Sequence, residues 1–305
     1  MRASQSNAGG PWLGYVEALA AATLWASSGI FAVHLFGMGV PPETLAVLRP
    51  LVGAILLLAV ALIRGPKTLR IDITGLAILG IGGGVAIGVF QFAYQFSTDA
   101  VGVPTTVALL YLAPAIVVAV SGPLLKEWPT RTRLSLVGVT LAGVWLSVAG
   151  AEEVTATFGT AGLAWGVLAG VSYAMYTVFG RWATPRYGVL PTVVYSTLGA
   201  CAMLIVTIPL APGSHALPPT PAAWGLVILF GALTIALAQF LFFDALGRIE
   251  ASRASLATAV EPAVAAVLST LLLAQGLRPM GWIGVGLVVA GVAGVGVTAR
   301  ADPRT

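Results

Sequence analysis

Charge is what this sequence has least of. Its 15 basic and 11 acidic side chains make up 9% of 305 residues, against 58% hydrophobic. A water-soluble protein of that length could not solvate such a surface, so a soluble domain is excluded. Cysteine is almost absent: Cys201 alone rules out a disulfide framework within the chain and cannot hold a metal cluster by itself. The two histidines, His34 and His215, lie far apart and form no HExxH pair. No G-x-S-x-G elbow occurs either, so a metalloprotease or serine-nucleophile enzyme has no motif here. Neither a metal nor a cofactor is expected.

The apolar residues are grouped. Stretches of about 20 residues recur along the chain, the length that crosses roughly 30 Å of hydrocarbon, and the mean hydropathy is +0.97. The polar start MRASQSNAGGPW leads into an apolar run too long for a signal-peptide core, which reads as a retained first helix. The pattern predicts an all-α, polytopic membrane protein with ten transmembrane helices: 12–36, 44–63, 72–97, 102–123, 133–150, 160–183, 190–210, 222–245, 252–273 and 279–298. Between them lie short breaks rich in Pro, Gly and charge, such as RGPKTLR (64–70), KEWPTRTR (126–133) and APGSHALPPTP (211–221).

The net charge of +4 is not a nucleic-acid footprint, because the basic residues sit in these short loops. With the N-terminus in the cytoplasm, the inner segments hold Arg2, Arg64, Lys67, Arg70, Lys126, Arg131, Arg133, Arg181, Arg186, Arg248, Arg253, Arg300 and Arg304. The outer loops hold Arg278 alone. Both termini are therefore expected in the cytoplasm of a bacterial cell, with the chain spanning the inner membrane.

A shift of 148 residues lays the second half on the first. Gly14 falls on Gly162, Trp25 on Tyr173, Phe31 on Phe179, Gly83 on Gly231, Gln91-Phe92 on Gln239-Phe240 and Pro114 on Pro262. Gly138, Ala142, Gly143 and Val144 fall on Gly286, Ala290, Gly291 and Val292. A glutamine in two apolar helices at one offset is hard to ascribe to composition. Residues 1–150 and 151–305 are thus expected to be two five-helix repeats. An odd number of spans makes the second enter the membrane from the opposite side, giving inverted repeats around a site near the bilayer midplane. Inversion puts Gln91 toward the outer end of its helix and Gln239 toward the inner end of its own.

The chain resembles the drug/metabolite transporter superfamily, in its EamA-type branch. The resemblance is carried by LAAATLWASSGIF (19–31), Arg49-Pro50, LLYLAPAIVVAVSGPLLKE (109–127), GVTLAGVWL (138–146) and AVEPAVAAVLSTLLLAQG (259–276). Within the branch it looks most like the YddG-type amino-acid exporters. The resemblance implies ten helices in two repeats and outward transport of amino acids, aromatic or otherwise neutral. It departs at one place: where the family often ends the ninth helix with an acid, as Glu127 does in the first repeat, this chain has Gln275.

Ionisable residues inside the spans are the functional candidates. Glu261 lies near mid-membrane beside Pro262, which removes a backbone donor and is expected, like Pro114, to kink its helix. The glutamate reads as a proton relay or a contact for a substrate ammonium. The alternative is a structural residue, protonated or paired with a neighbour such as Arg49. Arg49 itself either attracts a substrate carboxylate or snorkels to the outer interface. Trp25 and Tyr173, with Tyr111, Tyr176, Ser27 and Ser28, supply an apolar wall with hydroxyls, the make-up of a small-molecule site, although each is equally a core residue. Gln91 and Gln239 suit a zwitterion or a hydrogen bond between helices. Glu17 and Asp244 read as interfacial. The ladders Gly80-Gly84-Gly88 and Gly286-Ala290-Gly294 read as close helix packing. Pro50, Pro123 and Pro209 punctuate other spans, and freed carbonyls there are suited to gating.

The leading expectation is a secondary transporter whose partners are a small-molecule substrate and the lipid bilayer. A homodimer would form through helices 5 and 10, which carry no ionisable residue in their middles. A carrier of nucleotide sugars or organic phosphates is the runner-up, disfavoured because Arg49 is the one cation within a span. An intramembrane enzyme or a receptor-like protein is the distant alternative.

Overall fold

The computed structural model describes residues 10–150, 160–207, 215–272 and 278–301, and every regular element among them is helical. Seven helical stretches are long and apolar enough to cross a membrane: Gly10–Gly37, Glu43–Arg64, Ile73–Tyr94, Thr160–Tyr187, Val189–Thr207, Pro221–Arg248 and Ala251–Leu272. Helices also occupy the remaining expected intervals, as Ala113–Leu125, Arg131–Ala149 and Pro279–Ala301. The spans expected from the sequence differ from these in one general way: several are broken, and the breaks lie where the cavity is. Pro209 and Gln275 lie outside the described residues.

The first span is two helices, α1 (Gly10–Ala26) and α2 (Ser28–Gly37), which meet at Ser27. After α3 (Pro42–Arg64) the third begins as α4 (Ile73–Ala77), widens into a π-helical segment over Ile78–Gly83, and continues as α5 (Gly84–Leu110). The long α5 is not straight. The hydroxyls of Ser97 and Thr106, nine residues apart, are 2.8 Å from one another, whereas a straight helix would separate them by about 13.5 Å. The chain reverses between them, in the interval expected between spans three and four. A second interruption at Tyr111–Leu112 precedes α6 (Ala113–Leu125), followed by α7 (Arg131–Ala149).

Beyond α8 (Thr160–Tyr187) and α9 (Val189–Thr207), the eighth span is α10 (Pro221–Gly231), a π segment over Ala232–Leu237, and α11 (Ala238–Arg248). The ninth is α12 (Ala251–Thr258) and α13 (Glu261–Leu272), and α14 (Pro279–Ala301) ends the chain.

The 148-residue offset reappears in local structure. Asp72 caps α4 by accepting from Gly75 N, and Thr220 caps α10 by accepting from Ala223 N, each satisfying one of the free donors of a first turn. The interruptions at 111–112 and 259–260 are also one offset apart. Gly14 packs on Arg248 and Ile249, as Gly162 does on Ala100 and Val101. A Cβ on Gly162 would come within 2.7 Å of both partners, so glycine is required there.

Two expectations about proline and glycine are corrected. Pro114 and Pro262 do not kink a continuous helix. They occupy the second position of α6 and α13, just after a break, where the missing N–H would have had no helical partner. Of the ladder Gly286-Ala290-Gly294, Gly294 packs on Leu136 of α7, but Gly286 does not belong to the contact face, since a Cβ there would meet nothing within 4 Å. Gly284 and Gly291 share that face with Gly294 and lie on Gly143, Ser147 and Thr140 of α7. The small faces of α7 and α14 are therefore spent on one another within the chain. Gly84 and Gly88 do pack closely, against Gly199 and Met203 of α9.

Candidate functional site

Helical spacing assembles one cavity. On α1 and α2, Trp25 and Ser28 stand three apart, and on α8 Tyr173 and Tyr176 repeat that spacing; Ile87–Gln91 on α5 and Ile235–Gln239 across the π segment into α11 stand four apart. Such spacings put each pair on one helix face. All eight line the same cavity, and they form four pairs at the 148-residue offset. Phe90, Tyr94 and Leu110 of α5 complete its apolar side, with Arg49 of α3 and Glu261 of α13 on its polar side. Its volume is about 80 Å3, several times the ~10–15 Å3 that one water needs.

The two charges are exceptions to the pairing. The offset places Thr197 opposite Arg49 and Ala113 opposite Glu261. They are also not paired with one another. The Arg49 guanidinium donates through Nε to Thr234 Oγ1 at 3.0 Å and lies 4.7 Å above the ring of Phe230, a cation–π contact. Glu261 Oε2 accepts from the Tyr111 hydroxyl at 2.7 Å. No carboxylate of the described residues reaches Arg49 within salt-bridge distance, which leaves its Nη donors available to the cavity. Snorkelling to the interface is thereby set aside for Arg49, whose head is held inward by Thr234.

The remaining expected residues have distinct places. Tyr111 is buried behind Glu261 rather than on the wall. Ser27 is not on the wall either: at the α1–α2 break its hydroxyl donates to Leu24 O at 2.6 Å. Gln239 Oε1 accepts from Thr197 Oγ1 at 3.1 Å, while the Gln91 amide has no protein partner among the described residues. The buried Tyr176 hydroxyl also has none, and a buried polar atom of that kind is normally satisfied by water or a ligand. Trp25 Nε1 donates to Thr234 O at 2.8 Å, and its ring packs edge-on to Tyr173 and Phe242.

Glu17, expected at the interface, is buried and bonded by Arg248 Nε at 3.1 Å, with Asp244 on the same guanidinium at 3.0 Å. Desolvation makes an unpaired carboxylate there costly, so the arginine accounts for its place.

Sequence reasoning missed Phe90, Tyr94, Ile87, Ile235 and Thr234. The isoleucines carried a signal, because they pair at the same offset four residues before the glutamines. Phe90 and Tyr94 flank Gln91 on its helix face. Thr234 carried none, since its role depends on what α1 and α3 bring to it.

Apolar helices of membrane-spanning length surround a small cavity with an aromatic wall and two separated charges, the architecture of a polytopic membrane protein. The comparisons with known proteins agree with that class. The model of the EamA-like transporter family matches residues 12–149 and again residues 160–297, two segments displaced by the same offset (160 − 12 = 148). The chain belongs to the EamA-like transporter family and is a membrane transporter. It is similar to the uncharacterized inner membrane transporter YicL of Salmonella typhimurium, 24% identical over 95% of this chain and 97% of that one. It is also similar to the uncharacterized transporter YdfC of Bacillus subtilis (26%; 88% of this chain, 86% of that one) and the uncharacterized inner membrane transporter YedA of Escherichia coli (25%; 88% and 86%). A protein crystal structure superposes with a TM-score of 0.80 over 94% of this chain and 98% of the other, at 21% identity. That likeness bears on the fold alone.

Proposed function

We propose that the chain is a secondary transporter that exports small neutral amino acids, aromatic ones included, across the bacterial inner membrane. Its ten spans form two inverted five-helix halves with both termini in the cytoplasm. The halves rock about the central cavity and open it to each face in turn. The thirteen inner-side basic residues support the orientation, and two relatives bear the words inner membrane in their names.

One observation carries the substrate class: Arg49 and Glu261 face a single aromatic cavity and are held apart by separate partners, Thr234 and Tyr111. A zwitterion placed between them meets a guanidinium with its carboxylate and a carboxylate with its ammonium, while Gln91 supplies an amide. Phe90, Tyr94 and Tyr173 offer an apolar face to its side chain.

The test is flux of labelled neutral amino acids from proteoliposomes, with and without a pH gradient. Saturable flux is expected, inhibited weakly by analogues that lack either the amine or the carboxylate. Absence of any saturable amino-acid flux from folded protein overturns the reading. Strong inhibition by a phosphate ester would move it to the organic-phosphate class.

A further inference from the structure

We propose that Glu127 and Arg181 form a one-sided latch that holds shut the end of the molecule formed by residues 244–253. Ion pairs across the two family segments converge there: Arg248 with Glu17, Arg133 with Glu250, and Arg181 with Glu127. The last of these is placed differently from the others. Arg181 Nε donates to Glu127 Oε1 at 2.7 Å, and the pair straddles the turn between α11 and α12. Arg181 Nη1 donates to Leu246 O at 3.0 Å, a carbonyl of the last turn of α11. Glu127 Oε2 accepts from Ala251 N at 2.9 Å, the first donor of α12.

Each charge thus meets the helix end of opposite partial charge, and each satisfies a backbone group that the helix leaves free. Glu250, the residue in the capping position of α12, makes no side-chain cap of its own. Glu127 does so from the other family segment.

The backbone is bent to allow it. Lys126 adopts φ +61°, the one positive φ outside glycine among the described residues, a conformation that costs a side-chain-bearing residue about 1–2 kcal/mol. The bend closes α6 through Lys126 N on Gly122 O and Glu127 N on Ser121 O, which aims the carboxylate at α12.

The sequence of the other repeat does not supply this charge pair. The offset places Val33 opposite Arg181 and Gln275 opposite Glu127. At the corresponding contact of Glu17 with Asp244, it places Trp165 and Phe96, whose rings lie 5.6 Å apart. Charge pairs thus cross the two segments at one end, and an aromatic contact stands at the matching place in the other. The latch biases the resting protein toward the state closed at the charged end.

The inference rests on alternating access but not on amino acids as substrate. Its test therefore reads conformation rather than flux. In a Cys201→Ala background, Ser28→Cys reports access to the cavity, and Trp128→Cys marks the side of the membrane on which the latch lies. A membrane-impermeant thiol reagent is applied from that side. Glu127→Gln and Arg181→Gln should each raise the labelling rate at position 28 by about tenfold, the low end of what loss of a charge-assisted hydrogen bond does to an equilibrium. Labelling at position 128 should stay at the parent rate, which verifies folding and insertion. The exchange Glu127→Arg with Arg181→Glu restores the attraction but reverses both helix-end contacts, and it should label as fast as the single variants. Unchanged labelling in both single variants overturns the latch. So does a return of the exchange variant to the parent rate, which would leave an ordinary ion pair. If one single variant fails to insert, the other reads the same latch.

Discussion

Thr234 sits at the meeting point of the cavity's two best-fixed side chains. Its hydroxyl accepts a hydrogen bond from Arg49 Nε and donates one to Phe230 O at 2.8 Å, and its carbonyl accepts one from the Trp25 indole. Substituting valine keeps its shape and removes the hydroxyl. A hydrogen bond to a charged group contributes roughly 1.5–3 kcal/mol. Thr234→Val is accordingly expected to raise KM for a carboxylated substrate about tenfold or more, with transport of the matching decarboxylated amine unchanged. Thr234→Ser should restore KM. A uniform loss for both substrates would assign Thr234 to packing alone. Glu261 makes the mirror prediction: Glu261→Gln should weaken transport of amine-bearing substrates and spare carboxylic acids that lack the amine. Saturable flux that Glu261→Gln leaves untouched would mark the glutamate as structural.

Pairing of α7 with α14 is an argument about elements. A Cβ at Gly143 would lie 2.7 Å from Val288 N and 2.8 Å from Gly284 O. Overpacking of that kind costs typically 1–3 kcal/mol, and more where backbone rather than a movable side chain is struck. Gly143→Leu should lower the apparent melting temperature in detergent by several degrees. Gly286→Leu, placed where a Cβ meets nothing, should leave it within a degree. Equal melting temperatures for the two would show that the glycine contact contributes little. The α6 terminus offers a change of opposite sign. At Lys126, glycine removes the penalty of the left-handed conformation, so Lys126→Gly is expected to raise the melting temperature by about 2 °C.

For the molecule as a whole, the distribution of basic residues predicts topology. A fluorescent protein fused after Thr305 should mature and fluoresce in the cytoplasm, while alkaline phosphatase at the same position should stay inactive. An active phosphatase fusion would reverse the assigned orientation and, with it, the inner face to which the latch belongs. The latch itself would remain at the same end of the bundle, because Trp128, not the terminus, defines that side in its test.

The sequence alone determined the helical membrane class, the positions of the apolar spans and the 148-residue repeat. These depend on composition, periodicity and spacing, which are local or counted along one dimension. It also named eight of the thirteen cavity-lining residues, two as ionisable groups inside spans and six as aromatic, hydroxyl or amide side chains within apolar helices. Only the tertiary structure decided that Arg49 turns inward to Thr234 instead of outward to the interface. It alone placed Tyr111 behind Glu261, Ser27 off the wall, and Glu127 on the turn between two distant helices. All but that of Ser27, whose hydroxyl bonds Leu24 O three residues away, depend on which partner a buried polar group finds across more than a hundred residues of chain. Desolvation makes finding one obligatory, but spacing along the chain cannot say which.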